Sequence, residues 1–293
     1  MRQVLATLMA VLLVGAAGHG AAQPAGPDGP VRHVVILSFD GARADAMRQV
    51  MPSTLLAGAA YSWEAQTILP STTLPAHASM LTGLGPDEHG VRFNVWVPGS
   101  GYLSLPTVFS LVTAQGGKAA AFVTKSKLLF LIRPGTAAHA EYLPFSSYDQ
   151  LATVREAVRY LAREQPHLLF IHVADLDDAG HSSGWMSAPY LAAARRAPET
   201  VSVLVDALAR MMALDRSLVI VTADHGGHGR IHGTADPQDT TIPWLAFGAV
   251  RPGPIPARIV IYDTAATALA ALGIPVPSTW QGKPVLTPVT SRQ

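Results

Sequence analysis

Cysteine is absent from this chain of 293 residues. Its absence excludes disulfides and lipid attachment at a lipobox cysteine, so an exported form would rest on its core and on bound metal. Charge is scarce as well. Asp, Glu, Lys and Arg make up 14%, the formal net charge is +1, and no block of like charges occurs. A nucleic-acid or membrane-surface partner held by electrostatics is therefore not expected. The apolar run from Val4 to Val14 is too short to span a bilayer. It follows Arg2 and precedes small residues, the shape of a secretory signal peptide with cleavage near Ala17 or Ala22. Residues 1–22 are read as a signal peptide, 23–30 as a flexible Gly/Ala/Pro-rich lead-in and 31–293 as a single domain. The protein is expected to be secreted or periplasmic, with no membrane span after cleavage.

What is present is an alternation of short apolar strands and helices, without an internal repeat or long linker. Val31–Asp40 is a continuous β-branched run, as in a strand buried on both faces. Further strands are expected at Lys118–Thr124, His167–Asp175, Ser217–His225, Trp244–Gly248 and Ala257–Asp263. Helices are expected at Leu105–Gly117 with Gly116 as the stop, at Ser147–Pro166, at Thr200–Asp215 and at Thr264–Gly273. The pattern predicts an α/β fold with a mostly parallel central sheet sandwiched by helices.

Acids sit at informative places. Asp40, the Asp175–Asp178 stretch and Asp224 each follow a buried strand. Open parallel sheets build their sites at the carboxyl ends of strands, so three strands deliver carboxylates to one rim. Histidines accompany two of them: Asp177 and His181 in DDAGH, and Asp224, His225, His228 and His232 in ADHGGHGRIH. Asp and His without Cys suit zinc or a similar cation. Three Asp and three His would fill two sites of three protein ligands each, a recurrent device for phosphoryl displacement. His77, His89, His139, His167 and His172 read as structural, His172 as a satisfied core histidine.

The stretch TILPSTTLPAHASMLTG, Thr67 to Gly83, reads as a loop entering a helix. Thr73 suits the N-cap, with Pro75 tolerated in the first turn. A helix N-terminus also favours negative charge, so a threonine oxygen beside a divalent cation can ionise and attack phosphorus. Capping and nucleophilicity are compatible at one position.

Together these residues resemble the alkaline phosphatase superfamily, and within it the type I phosphodiesterase/nucleotide pyrophosphatase family. Asp40-Gly41 matches the family's Asp-Gly after its first strand. Thr73-Leu74-Pro75-Ala76-His77 is similar to its Thr-Phe-Pro-Asn-His signature, and the following run ends at Asn94. DDAGH and ADHGG resemble two further motifs, and the tail from Tyr262 to Val285 resembles the closing helix and strand. The resemblance spans about residues 31–285. It implies a phosphodiesterase with two zinc ions per chain and a small-molecule phosphoester substrate. One ion would be held by Asp40, Asp224, His225 and Thr73, the other by Asp177, His181 and a late histidine. No histidine follows His232, and the segment resembles the compact branch seen in ethanolamine-phosphate transferases, so His232 is assigned, with His228 as the fallback. Thr73 would form a phosphothreonine, and Asn94 with the Thr73 amide would stabilise charge on the phosphoryl oxygens.

Departures bear on substrate rather than chemistry. Leu74 and Ala76 replace the family's Phe and Asn, and the chain leaves little room for a nucleotide-clamping cap. Lys125 and Lys127 resemble a Lys-x-Lys-Leu stretch of phosphonoacetate hydrolases and could bind an anionic part of the substrate; they equally suit surface lysines after a strand. A phosphomonoesterase, a phosphonate hydrolase and a non-catalytic metal-binding periplasmic module are the alternatives. A sulfatase does not fit, because its formylglycine needs Cys or Ser where this chain has Thr73. Gly184–Glu199 is compatible with either a lid or a plain outer helix.

Overall fold

The computed structural model describes residues 29–144 and 149–289. The signal peptide and nearly all of the lead-in read from the sequence lie outside them. Among the described residues no helix is long and apolar enough to cross a membrane.

Among the described residues eight strands form one sheet: β1 (His33–Phe39), β2 (Ala60–Gln66), β3 (Ala119–Val123), β4 (His139–Tyr142), β5 (Leu168–Val173), β6 (Ser217–Thr222), β7 (Thr241–Gly248) and β8 (Gly253–Pro254). Their order is β4-β3-β5-β1-β6-β7-β2-β8. Five of the seven pairings are parallel; only β6–β7 and β2–β7 are antiparallel. β1 lies at the centre, parallel to β5 on one side and β6 on the other. All of its residues are buried, as are those of β3, β5 and β6. Continuous apolar strands of this kind require cover on both faces. One group of contacting helices comprises Thr73–Thr82, Val108–Ala114 and Asp263–Ala271; another comprises Ala44–Val50, Gln150–Glu164, Ala188–Ala194 and Ala197–Arg210.

Local chemistry sets the helix ends. Thr107 caps the Val108–Ala114 helix through a capping box with Ser110, and Gly116 leaves it at φ 75°. Asp149 caps the Gln150–Glu164 helix by accepting from the Ala152 amide. Two expectations are corrected. Ala257–Asp263 is not a strand: Val260 makes one bridge to Gln66, and its amide then donates to the Asp263 carboxylate. That local bond turns the chain into the last helix instead of continuing the sheet. The N-cap of the Thr73–Thr82 helix is Thr72, so Thr73 is its first helical residue.

Candidate active site

Register decides what meets at the rim. Phe39 pairs with Val173 and Ser38 with Thr222, so β1, β5 and β6 end level. Asp40 follows β1 directly, Asp224 follows β6 by one residue, and the Asp175–Ser183 helix starts one residue past β5. Asp177 and His181 share one face of that helix, four residues apart. Gly41, at φ 71°, lets this helix approach: a side chain there would lie 2.8 Å from the Asp177 Cα.

The ligand atoms converge. His225 Nε2 lies 3.4 Å from Asp40 Oδ1 and 3.4 Å from Asp224 Oδ2. His181 Nε2 lies 3.4 Å, and His232 Nε2 3.7 Å, from Asp177 Oδ1. Among the described residues two groups have metal-holding proximity: Asp177, His181 and His232, and Asp40, Asp177 and His225. Asp40 Oδ1, Asp177 Oδ1, Asp224 Oδ2 and His225 Nε2 are buried without a hydrogen-bond partner. Orphaned buried oxygens and nitrogens are rare, and four facing one another fit a bound cation.

Backbone carbonyls set the orientation of the histidine rings. Nδ1 of His225 faces the Gly226 carbonyl at 2.8 Å, that of His181 the Arg230 carbonyl at 3.1 Å, and that of His232 the Ser71 carbonyl at 2.9 Å. A carbonyl only accepts, so each Nδ1 carries the proton and each Nε2 turns a lone pair inward, as metal-ligating histidines do. Burial lowers the pKa of His225, and burial with the neighbouring His225 lowers that of His232 to about 4, so both rings are neutral and competent to ligate. His228 points elsewhere: its Nδ1 lies 2.7 Å from Asp239 Oδ1. The geometry therefore brings His232, not His228, to Asp177.

Burial alone would raise the Asp40 carboxyl, but the Lys125 ammonium and the His172 hydrogen bond outweigh it and hold it well below the carboxylate range. Asp224 is pushed up, first by burial and then by Asp40. Its Oδ1 accepts from the Gly41 and His225 amides, which leaves Oδ2 facing His225. Asp175 goes to the outer side, 3.6 Å from Arg196, and takes no part.

Thr73 stands at the head of its helix, buried beside this cluster: its carbonyl meets His77 Nδ1 at 2.8 Å, and the same Nδ1 is 3.4 Å from Asp224 Oδ2. Asn94 Oδ1 accepts from the Leu74 amide at 2.9 Å and from Lys127 Nζ at 2.9 Å. An amide N–H can only donate, so the Asn94 atom facing it is the oxygen, and Nδ2 is left as a donor. Lys125 is brought to the carboxylates: Nζ lies 2.6 Å from Asp40 Oδ2 and donates to Asp177 Oδ2 at 2.6 Å.

Sequence reasoning gave His77 and His172 no role at the site. The Thr124 amide donates to His172 Nδ1, so Nε2–H donates to Asp40 Oδ2 at 2.9 Å. The signal was a histidine within an otherwise apolar strand. Trp185 and Tyr190 were also missed. Both donate to the Gly41 carbonyl at 2.9 Å, and the Trp185 ring lies 5.0 Å from His181 and 5.8 Å from His232. Within Gly184–Glu199 the chain forms the Ala188–Ala194 helix and enters the next at Ala197, and Trp185 and Tyr190 tie this segment to the Gly41 carbonyl.

The match to known proteins falls on this construction. Residues 34–230 match the family described as type I phosphodiesterase/nucleotide pyrophosphatase. Among curated relatives, GPI ethanolamine phosphate transferase 1 of Saccharomyces cerevisiae is 23% identical over 263 residues, covering 76% of this chain and 28% of the relative. Human ectonucleotide pyrophosphatase/phosphodiesterase family member 7 is 25% identical over 253 residues, covering 75% and 53%. The chain spans about a quarter to a half of the length of these relatives. Among solved structures, an inactive threonine-to-alanine variant of murine ectonucleotide pyrophosphatase/phosphodiesterase 5, in complex with AMP, superposes with TM-score 0.73 at 15% identity, covering 87% of this chain and 100% of that one. The match over two thirds of its length, on a sheet that carries the family's motif residues to one rim, places this chain in the type I phosphodiesterase/nucleotide pyrophosphatase family.

Proposed function

We propose that the protein is an exported, metal-dependent phosphoester hydrolase that cleaves phosphodiesters through Thr73 and two zinc ions. The observation that carries this reading is the set of four buried, unpartnered ligand atoms beside Thr73. Asp40, Asp224 and His225 with Thr73 would hold one ion, and Asp177, His181 and His232 the other. Zinc bound there would supply Lewis acidity, lowering the pKa of the threonine hydroxyl and neutralising charge on the reacting oxygens.

The chain's own residues then divide the work. The Thr73 oxygen bonds to phosphorus as the phosphorus–alcohol oxygen bond breaks; Thr73 loses its proton to solvent and the alcohol gains one. Water next cleaves the threonine–phosphorus bond, which releases a phosphomonoester and restores Thr73. Asn94 Nδ2 and the Thr73 amide donate to the phosphoryl oxygens that gain charge. Lys127, tied to Asn94, adds positive charge on the same side. Lys125 is engaged by Asp40 and Asp177 and reaches substrate only by leaving them. Exposed Phe93 and Val95 flank Asn94, and exposed Ile231 adjoins His232, which favours a diester whose alcohol offers apolar surface.

The test is metal content of the purified protein, coupled to hydrolysis of bis-(p-nitrophenyl) and mono-p-nitrophenyl phosphate. About two zinc ions per chain with faster diester turnover is the expected result. Two zinc ions with faster monoester turnover would make it a phosphomonoesterase. Full metal without turnover of either would make it a binding module.

A further inference from the structure

Asp40 and Asp177 are used alike although they come from different strands. In each, Oδ2 is taken by the Lys125 ammonium at 2.6 Å, and in each, Oδ1 is the buried oxygen without a partner. Asp40 Oδ1 faces His225, and Asp177 Oδ1 faces His181 and His232. Lys125 immediately follows Thr124, whose amide and hydroxyl hold His172, and His172 in turn holds Asp40. The Lys125 side chain is only 19% exposed, so its charge is poorly screened. Three carboxylates converge here, and Lys125 is the one Lys or Arg placed between two of them among the described residues.

We infer that Lys125 is a resident counter-cation shared by both metal positions, fixing one oxygen of each carboxylate and weakening metal binding by its charge. This rests on the two-metal reading. Its physical content is a balance. The ammonium offsets repulsion among buried carboxylates, which favours the fold, and repels a divalent cation held a few ångströms away on the other oxygens. A substrate-binding lysine would leave metal affinity alone, and a purely orienting one would raise it.

The experiment is zinc affinity and stoichiometry by chelator competition on the full chain, for wild type, Lys125→Met, Lys125→Gln and Lys125→Arg, with Lys127→Met as the neighbouring control. The expected result is zinc held more than tenfold tighter in Lys125→Met and Lys125→Gln. Affinity should stay near wild type in Lys125→Arg, which keeps the charge, and rise less in Lys127→Met than in the neutral Lys125 variants, because Lys127 contacts Asn94 and no carboxylate. In excess chelator the two neutral variants should melt several degrees below wild type. Weaker zinc binding in the neutral variants would overturn the inference in favour of an orienting role. Unchanged affinity with a raised KM would overturn it in favour of a substrate contact. Two neutral replacements keep the test decisive if one fails to fold. Failure of wild type itself to take up zinc would sink the metal reading, and that result is visible before any variant is compared.

Discussion

The two halves of the site are built by different parts of the molecule. Asp40, Asp224 and His225 stand at the ends of the central strands, and all three are fully buried. Asp177, His181 and His232 come from a helix and a loop; the His181 side chain is 46% exposed and that of His232 8%. The first half inherits its geometry from the sheet, where neighbours in register cannot move singly. The second is tied by single bonds from imidazoles to backbone carbonyls of Arg230 and Ser71. A ligand set on strand ends is rigid and dry; one on a helix and a loop is more adjustable, and here it meets solvent through His181. The buried half should therefore hold its metal as part of the fold, while the open half exchanges.

That contrast can be broken experimentally. The largest effect is expected for Thr73→Ala, which should lower turnover at least about a thousandfold, the scale for loss of a nucleophile. Metal content should stay near wild type, because Asp40, Asp224 and His225 remain for one ion and Asp177, His181 and His232 for the other; full activity would remove Thr73 from the mechanism. Next comes Asp40→Asn, which should cost tight metal in the buried half and lower the melting temperature. His181→Ala should release one equivalent at lower chelator concentration and leave the melting temperature almost unchanged. Equal losses in these two variants, read by metal analysis and thermal melts, would erase the distinction between the halves. His172→Gln removes the bond that orients Asp40 and should weaken the buried half by about 10–100-fold, the scale for groups supporting a ligand. The smallest effect is expected for Trp185→Phe, which loses one hydrogen bond to Gly41 and should cost about 1 kcal/mol in a denaturant titration.

Legibility in the sequence followed the same division. β1, β3, β5 and β6 were plain because strands covered on both faces read as unbroken apolar runs, and the acids just beyond them marked the rim. β2 was missed because Ala60–Gln66 pairs at an irregular register near the edge and carries Ser62 and Glu64 in its span. The four-residue β4, whose positions alternate between partly and fully exposed, offered too little pattern. Tyr262 and its neighbours read as a strand because hydropathy cannot see the Asp263 side chain closing a turn on Val260. At the site, the candidate ligand residues were singled out by spacing, but the bonds that orient them were not. Those partners, the carbonyls of Ser71, Arg230 and Gly226, are backbone atoms without a letter in the sequence. Asn94 was legible as a motif position; its bond to the Leu74 amide, which serves the helix end that Thr72 leaves without a side-chain cap, appears only in three dimensions.

The Gly41 carbonyl accepts from both Trp185 and Tyr190. Length variation in such proteins accumulates in surface connections, and residues 185–190 would ordinarily be one of them. Here an inserted residue would shift one donor relative to the other, and the turn that carries Asp40 would register the change. That side of the domain is closed to growth. Room for new specificity lies instead in residues 95–104, next to Asn94, a loop of partly and fully exposed positions with one exception, Leu103.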